Sequence, residues 1–132
     1  MKRVLLSLSA ILLCVAVLTG CEPNTPKDVA EKFLTAMYHL DYATAKKYAT
    51  EETKQQLTQQ EETEKRDTAN AGTRKSDAQK IKVTLKEPVL TNDSMATVEY
   101  TLSDAPTSTK KLKMVKRGGK WLETSYMERL ME

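Results

Sequence analysis

The feature that most constrains this chain is a change of period at Ile81. Upstream, apolar residues recur at helical spacing; downstream, they fall on every second position. Helices followed by a run of strands, instead of alternating with them, specify an α+β domain whose strands join as antiparallel hairpins. The sequence therefore predicts N-terminal helices packed on a curved, four-stranded antiparallel sheet.

The first helix has a well-marked start. Thr25 is suited to the N-cap, Pro26 to the first helical position, and Asp28 to the electropositive first turn. Val29, Phe33, Ala36, Met37 and Leu40 then draw one apolar stripe on a 3.6-residue period. Asp41 can cap a second, shorter helix in which Tyr42, Ala45, Tyr48 and Ala49 share a face, so the two form a helical hairpin. From Glu51 to Lys80 the apolar side chains reduce to Leu57 and three alanines. This segment reads as a solvated helix to about Asn70, with the i,i+4 pairs Glu61–Lys65 and Glu62–Arg66, followed by a loop through Asn70-Ala71-Gly72.

Ile81, Val83 and Leu85 form the inward side of a first strand, and Pro88 soon after is an edge or break signal. Thr91-Asn92-Asp93-Ser94 is a turn cluster, and Ala96, Val98, Tyr100 and Leu102 form the inward side of the second strand. Asp104-Ala105-Pro106 turns the chain again. Lys110 to Arg117 is the third strand, and Gly118-Gly119 is a hairpin signal into the fourth, Lys120 to Tyr126. A two-residue loop places Leu112 and Met114 with Trp121; a one-residue slip groups them with Leu122 and Tyr126. The sequence leaves both registers open.

The N-terminal residues carry an address. Lys2 and Arg3 precede an apolar stretch from Val4 to Leu18, too short for the ~20 residues that span a bilayer and patterned as a signal peptide. Leu18-Thr19-Gly20-Cys21 resembles a lipobox, in which the cysteine thiol accepts diacylglycerol and becomes the new N-terminus. The expected organisation is a signal peptide over 1–20, a lipidated cysteine and short tether over 21–25, and one domain over 26–130. Such a protein is exported and held in the cell envelope by lipid on Cys21; inner or outer membrane, periplasmic or surface side, all stay open.

Cleavage changes the composition argument. Loss of Lys2 and Arg3 lowers the whole chain's +3 to about +1, too little charge for a nucleic-acid partner. Cys14 leaves with the signal and Cys21 takes lipid, so the mature domain keeps no thiol for a disulfide, a zinc site or a nucleophile. His39 is the only histidine, which excludes a multi-histidine metal site; at the end of the first helix it suits a C-terminal position. No cofactor is expected.

The order of parts, with Thr-Pro-Lys-Asp-Val-Ala-Glu-Lys-Phe-Leu (25–34), Asp-Tyr-Ala-Thr-Ala-Lys-Lys-Tyr-Ala-Thr (41–50) and Lys-Arg-Gly-Gly-Lys-Trp (116–121), resembles the small bacterial lipoprotein domains of unknown function once called lumazine-binding-like. That group is similar to the nuclear-transport-factor-two-like, or cystatin-like, superfamily. The resemblance spans residues 25 to 127 and implies helices packed into a curved sheet to make a cone. It implies no particular ligand.

Some cone-shaped relatives are isomerases with an acid, His or Tyr in the cavity. Here the inward positions of the first two strands carry no acid, and Glu99 alternates outward. The expectation is a non-enzymatic module that binds a small ligand or an envelope protein. A cone-fold enzyme of isomerase or hydrolase type and a structural or assembly subunit are the alternatives. Phe33, Met37, Tyr38, Tyr42, Val98, Tyr100 and Trp121 are the candidate pocket lining, though aromatics at helical spacing also serve simply as packing. Lys110, Lys111, Lys113, Lys116, Arg117 and Lys120 form a basic run, either a solvated hairpin that resists edge pairing or a surface facing anionic headgroups.

Overall fold

The computed structural model describes residues 24–124. The expected signal peptide over 1–20, Cys21 and Tyr126 lie outside the described residues. Helices come first and a strongly curled antiparallel half-barrel sheet follows. The helices are α1 (Pro26–Tyr38), α2 (Tyr42–Lys47), α3 (Glu51–Arg66) and α4 (Ala71–Ala78); the strands are β1 (Val83–Leu85), β2 (Val89–Asn92), β3 (Met95–Leu102), β4 (Ala105–Arg117) and β5 (Lys120–Glu123).

α1 begins as its capping residues dictate, with the Asp28 amide donating to Thr25 Oγ1 at 3.1 Å. It ends in a Schellman turn: Asp41 N–H donates to the Ala36 carbonyl at 2.8 Å and Leu40 N–H to that of Met37 at 3.1 Å. Glycine usually takes the left-handed position of that turn; here it is Leu40, at φ 60°. Asp41 then caps α2, its Oδ1 accepting from the Thr44 amide at 3.1 Å. The Thr44 contact, side chain first, holds the Asp41 carboxyl below the usual aspartate range.

The stripe on α1 lies on the inner side of the curled sheet. Val29, Ala30, Phe33, Leu34, Ala36 and Met37 pack with Ala96, Val98, Tyr100 and Leu102 of β3, Leu112 and Met114 of β4, and Trp121 of β5. Complete burial of a side chain such as Phe33 contributes roughly 1.5–3 kcal/mol. α3 adds Leu57 and Thr53 to this buried set and is otherwise wet.

The sheet differs from the sequence expectation in two ways. Val89–Asn92, expected as a break and a turn, is a fifth strand paired antiparallel to β3, with a register shift between Leu90 and Asn92. β1 and β2 thus divide one edge of β3 between them, separated at 86–88, because Pro88 interrupts the ladder without ending the sheet. β4 also begins earlier than expected, at Ala105, taking in residues read as a turn and an unassigned stretch. The last hairpin has the two-residue loop, with Gly118 at φ 58° and Gly119 at φ 76°. Lys116 pairs with Trp121 and Met114 with Glu123, so Leu112 and Met114 share the inner face with Trp121.

The register also brings an acid inside. Glu123 is fully buried on the inner face of β5. The inward positions of the first two expected strands carry no acid; this one belongs to the last strand. The backbone on the outer side of β5 is covered by residues 48–50: Glu123 N–H donates to the Tyr48 carbonyl at 2.8 Å, and Thr50 N–H to that of Glu123 at 3.0 Å.

Residues 67–80 give a further correction. Ala71 and Gly72, expected in a loop, start α4, and the actual loop is Asp67 to Asn70. α4 buries only Ala78, so its sequence carries almost no apolar signal.

Candidate functional site

α4 closes one side of an open cleft of about 670 Å³. The apolar wall consists of Met37, Tyr38 and Leu40 from the end of α1, Ala78 from α4, and Ile81 ahead of β1. The polar wall consists of Gln60 and Glu64 from α3, Arg74 and Asp77 from α4, Lys80, and Ser103 with Asp104 from the β3–β4 turn. The volume lies within the range of small-molecule sites, about 300–1,000 Å³.

Each wall has a local cause. Tyr38 is fixed by a hydrogen bond of 3.0 Å between its hydroxyl and that of buried Tyr100. Leu40 reaches the cleft because the Schellman turn holds it left-handed, a conformation costing a non-glycine residue about 1 kcal/mol. His39, the C-cap of α1, places Nε2 at 2.8 Å from the Ile81 carbonyl oxygen and so fastens the helix end to the lead-in of β1.

Arg74 fastens α4 to the end of α3. Its Nη1 lies 3.0 Å from Glu64 and 3.4 Å from Asp67, and its Nη2 donates to the Asp67 carbonyl at 2.7 Å. Lys80 holds Asp77 at 2.9 Å. Two of the cleft's three acids, Glu64 and Asp77, are thereby engaged by its cations, and the third, Asp104, stands in the exposed β3–β4 turn. Gln60 Oε1 and Arg74 Nε, an acceptor and a donor, are buried with no hydrogen-bond partner among the described residues.

Of the seven expected lining residues, Met37 and Tyr38 border the cleft. Phe33, Val98 and Tyr100 are fully buried, and Tyr42 and Trp121 nearly so. These five fill the inside of the sheet, because the α1 stripe occupies the space that an open cone would leave. Gln60, Glu64, Arg74 and Asp77 were missed, being polar residues in a stretch that reads as solvated. One signal was available: Gln56, Gln60 and Glu64 recur at i, i+4 and i+8 on a single helical face.

The basic run does not form one surface. Alternation along β4 places Lys110 and Lys116 on the inner side, with Lys116 Nζ 6.0 Å from the Trp121 ring centroid. Lys111 and Lys113 face outward, opposite Glu99 and Thr97 of β3. Arg117 at the hairpin end lies 3.5 Å from Glu52 of α3, and Lys120 pairs with it across the hairpin. Glu99 is on the outer face as expected, 3.1 Å from Lys86.

Among the described residues no cluster of His, Cys, Asp or Glu could hold a metal ion, and no helix is long and apolar enough to cross a membrane. A family model described as a domain of unknown function, DUF4878, matches residues 19–122. Neither a curated protein nor a solved structure matches the chain.

Proposed function

The chain belongs to the DUF4878 family, and from that premise we propose that it is an envelope lipoprotein, anchored through Cys21, whose domain binds a small amphipathic molecule without transforming it. The observation that carries the reading is the cleft, with an apolar wall of Met37, Tyr38, Leu40 and Ile81 facing Gln60 and Arg74. A guest with an apolar body and hydrogen-bonding groups for the exposed polar side chains of Lys80, Ser103 and Asp104 would meet both walls. Burial supplies affinity in such sites, and a few placed polar groups supply orientation.

A binding role is supported over an isomerase or hydrolase by how the acids are used. Glu64 and Asp77 are held by Arg74 and Lys80, Asp104 lines the cleft from the solvent-exposed β3–β4 turn, and the fully buried acid, Glu123, does not border the cleft. A cone-type enzyme wants a carboxylate tuned by burial and facing the guest. The curled sheet wrapped around α1 is also what a cystatin-like cone would require, and we extend the family reading to that superfamily on this ground.

The test is native mass spectrometry of the mature protein purified without denaturation from its own host's envelope. A reproducible small-molecule adduct, lost in an Arg74→Ala variant, is expected. An apo mass with a stoichiometric protein partner would replace this reading with an assembly role.

A further inference from the structure

We infer that the β2–β3 hairpin is the part of the domain that rests in an anionic lipid surface. Val89 is 67% exposed, Leu90 61% and Met95 43%, the large apolar residues left open among the described ones. All three belong to this hairpin. Val89 pairs with Thr97 on the outer face of β3, Leu90 with Ala96 on the inner, so the apolar surface wraps around the strand edge. Three clustered apolar side chains at one corner mark an interaction site more than scattered single ones do.

The position of α1 indicates what covers them. Lys27, in its first turn, forms an ion pair with Glu87, two residues before Val89. The chain therefore enters the domain beside this hairpin. Residues 22–25 separate Cys21 from α1, and at ~3.4 Å each they reach only about 14 Å. With lipid on Cys21, as the proposed function holds, the hairpin is kept at the bilayer surface.

Charge and backbone favour lipid over another protein strand. Lys86, Lys111 and Lys113 lie on the outer face around Glu99, and Lys27 stands beside Glu87. On the outer face three cations surround Glu99, and such cations contribute to attraction by anionic headgroups. The edge itself is poorly shaped for strand addition: β2 is four residues long, follows Pro88, and shifts register between Leu90 and Asn92.

The experiment uses the mature protein from its host, with its mass read first for the acyl chains. Single-cysteine variants Leu90→Cys, Met95→Cys and, on the solvated side of α3, Thr58→Cys are labelled with an environment-sensitive fluorophore. They are reconstituted in vesicles of phosphatidylcholine with or without phosphatidylglycerol, and quenched by lipids brominated along the acyl chain. Expected is quenching at 90 and 95 several-fold stronger than at 58, increased by phosphatidylglycerol. Equal quenching at the three sites, or indifference to phosphatidylglycerol, would overturn the inference while leaving the anchor intact. Absence of the acyl mass would overturn anchor and docking together.

Discussion

The hydroxyls of Tyr38 and Tyr100 lie 3.0 Å apart, with ring centroids 6.2 Å apart and the planes tilted by 58°. One ring borders the cleft and the other is fully buried in the core, so this contact joins the site to the fold. Tyr38→Phe removes the hydroxyl and keeps the ring. It should cost about 1 kcal/mol, the usual net value of one such bond. Urea unfolding checks this, as a lower midpoint at unchanged slope.

Leu40 combines a strained backbone with a place in the cleft wall. Leu40→Gly should relieve about 1 kcal/mol of left-handed strain while losing a comparable amount of apolar contact. Stability is expected to change little, and retention of the cleft's adduct in native mass spectrometry to fall. An adduct unaffected by the substitution would show that Leu40 serves packing alone.

Arg74 is the main link between α4 and α3, and α4 buries only Ala78. Arg74→Ala should therefore release α4 without unfolding the core. Hydrogen exchange is expected to accelerate over 71–78 and to stay slow over β3 and β4, because local opening depends on few buried contacts. Uniform acceleration across the sheet would refute the picture.

Two carboxyls make the α2–α3 corner pH-sensitive. Hydrogen bonds from Thr44 lower the pKa of Asp41, and hydrogen bonds from Lys46 and Lys65, at 2.6 and 3.0 Å, lower that of Glu61. Folded values below unfolded ones mean that this stability is complete above the ordinary carboxylate range, about pH 4, and is lost as pH falls through the depressed values. Asp41→Asn with Glu61→Gln should flatten the acid limb of a stability–pH curve.

The helical hairpin was legible because its signals are local. Thr25, Pro26 and Asp28 cap a helix whatever it packs on, and the stripe from Val29 to Met37 must be buried against something. The alternation of Ala96, Val98, Tyr100 and Leu102 likewise set which face of β3 turned inward. β2 was hidden because its residues are all exposed and carry no burial pattern, so only pairing with β3 makes it a strand. α4 was hidden for the same reason, being held by Arg74 through contacts formed across a loop.

By itself, the sequence determined the order of helices before strands, the ends of α1 and the faces of its main strand, since these follow from capping chemistry and period. It also carried a Gly-Gly turn compatible with two registers. The tertiary structure chose between them, because the turn that brings Trp121 beside Met114 fills the inner face against α1. That choice buried Glu123 and Trp121, while the packing of α1 and α2 against the sheet left the other four of the five interior lining candidates inside the core. The cleft, too, was decided only there: its walls come from α1, α3, α4 and the β3–β4 turn, and no local pattern encodes the distance between segments that meet only when the chain has folded.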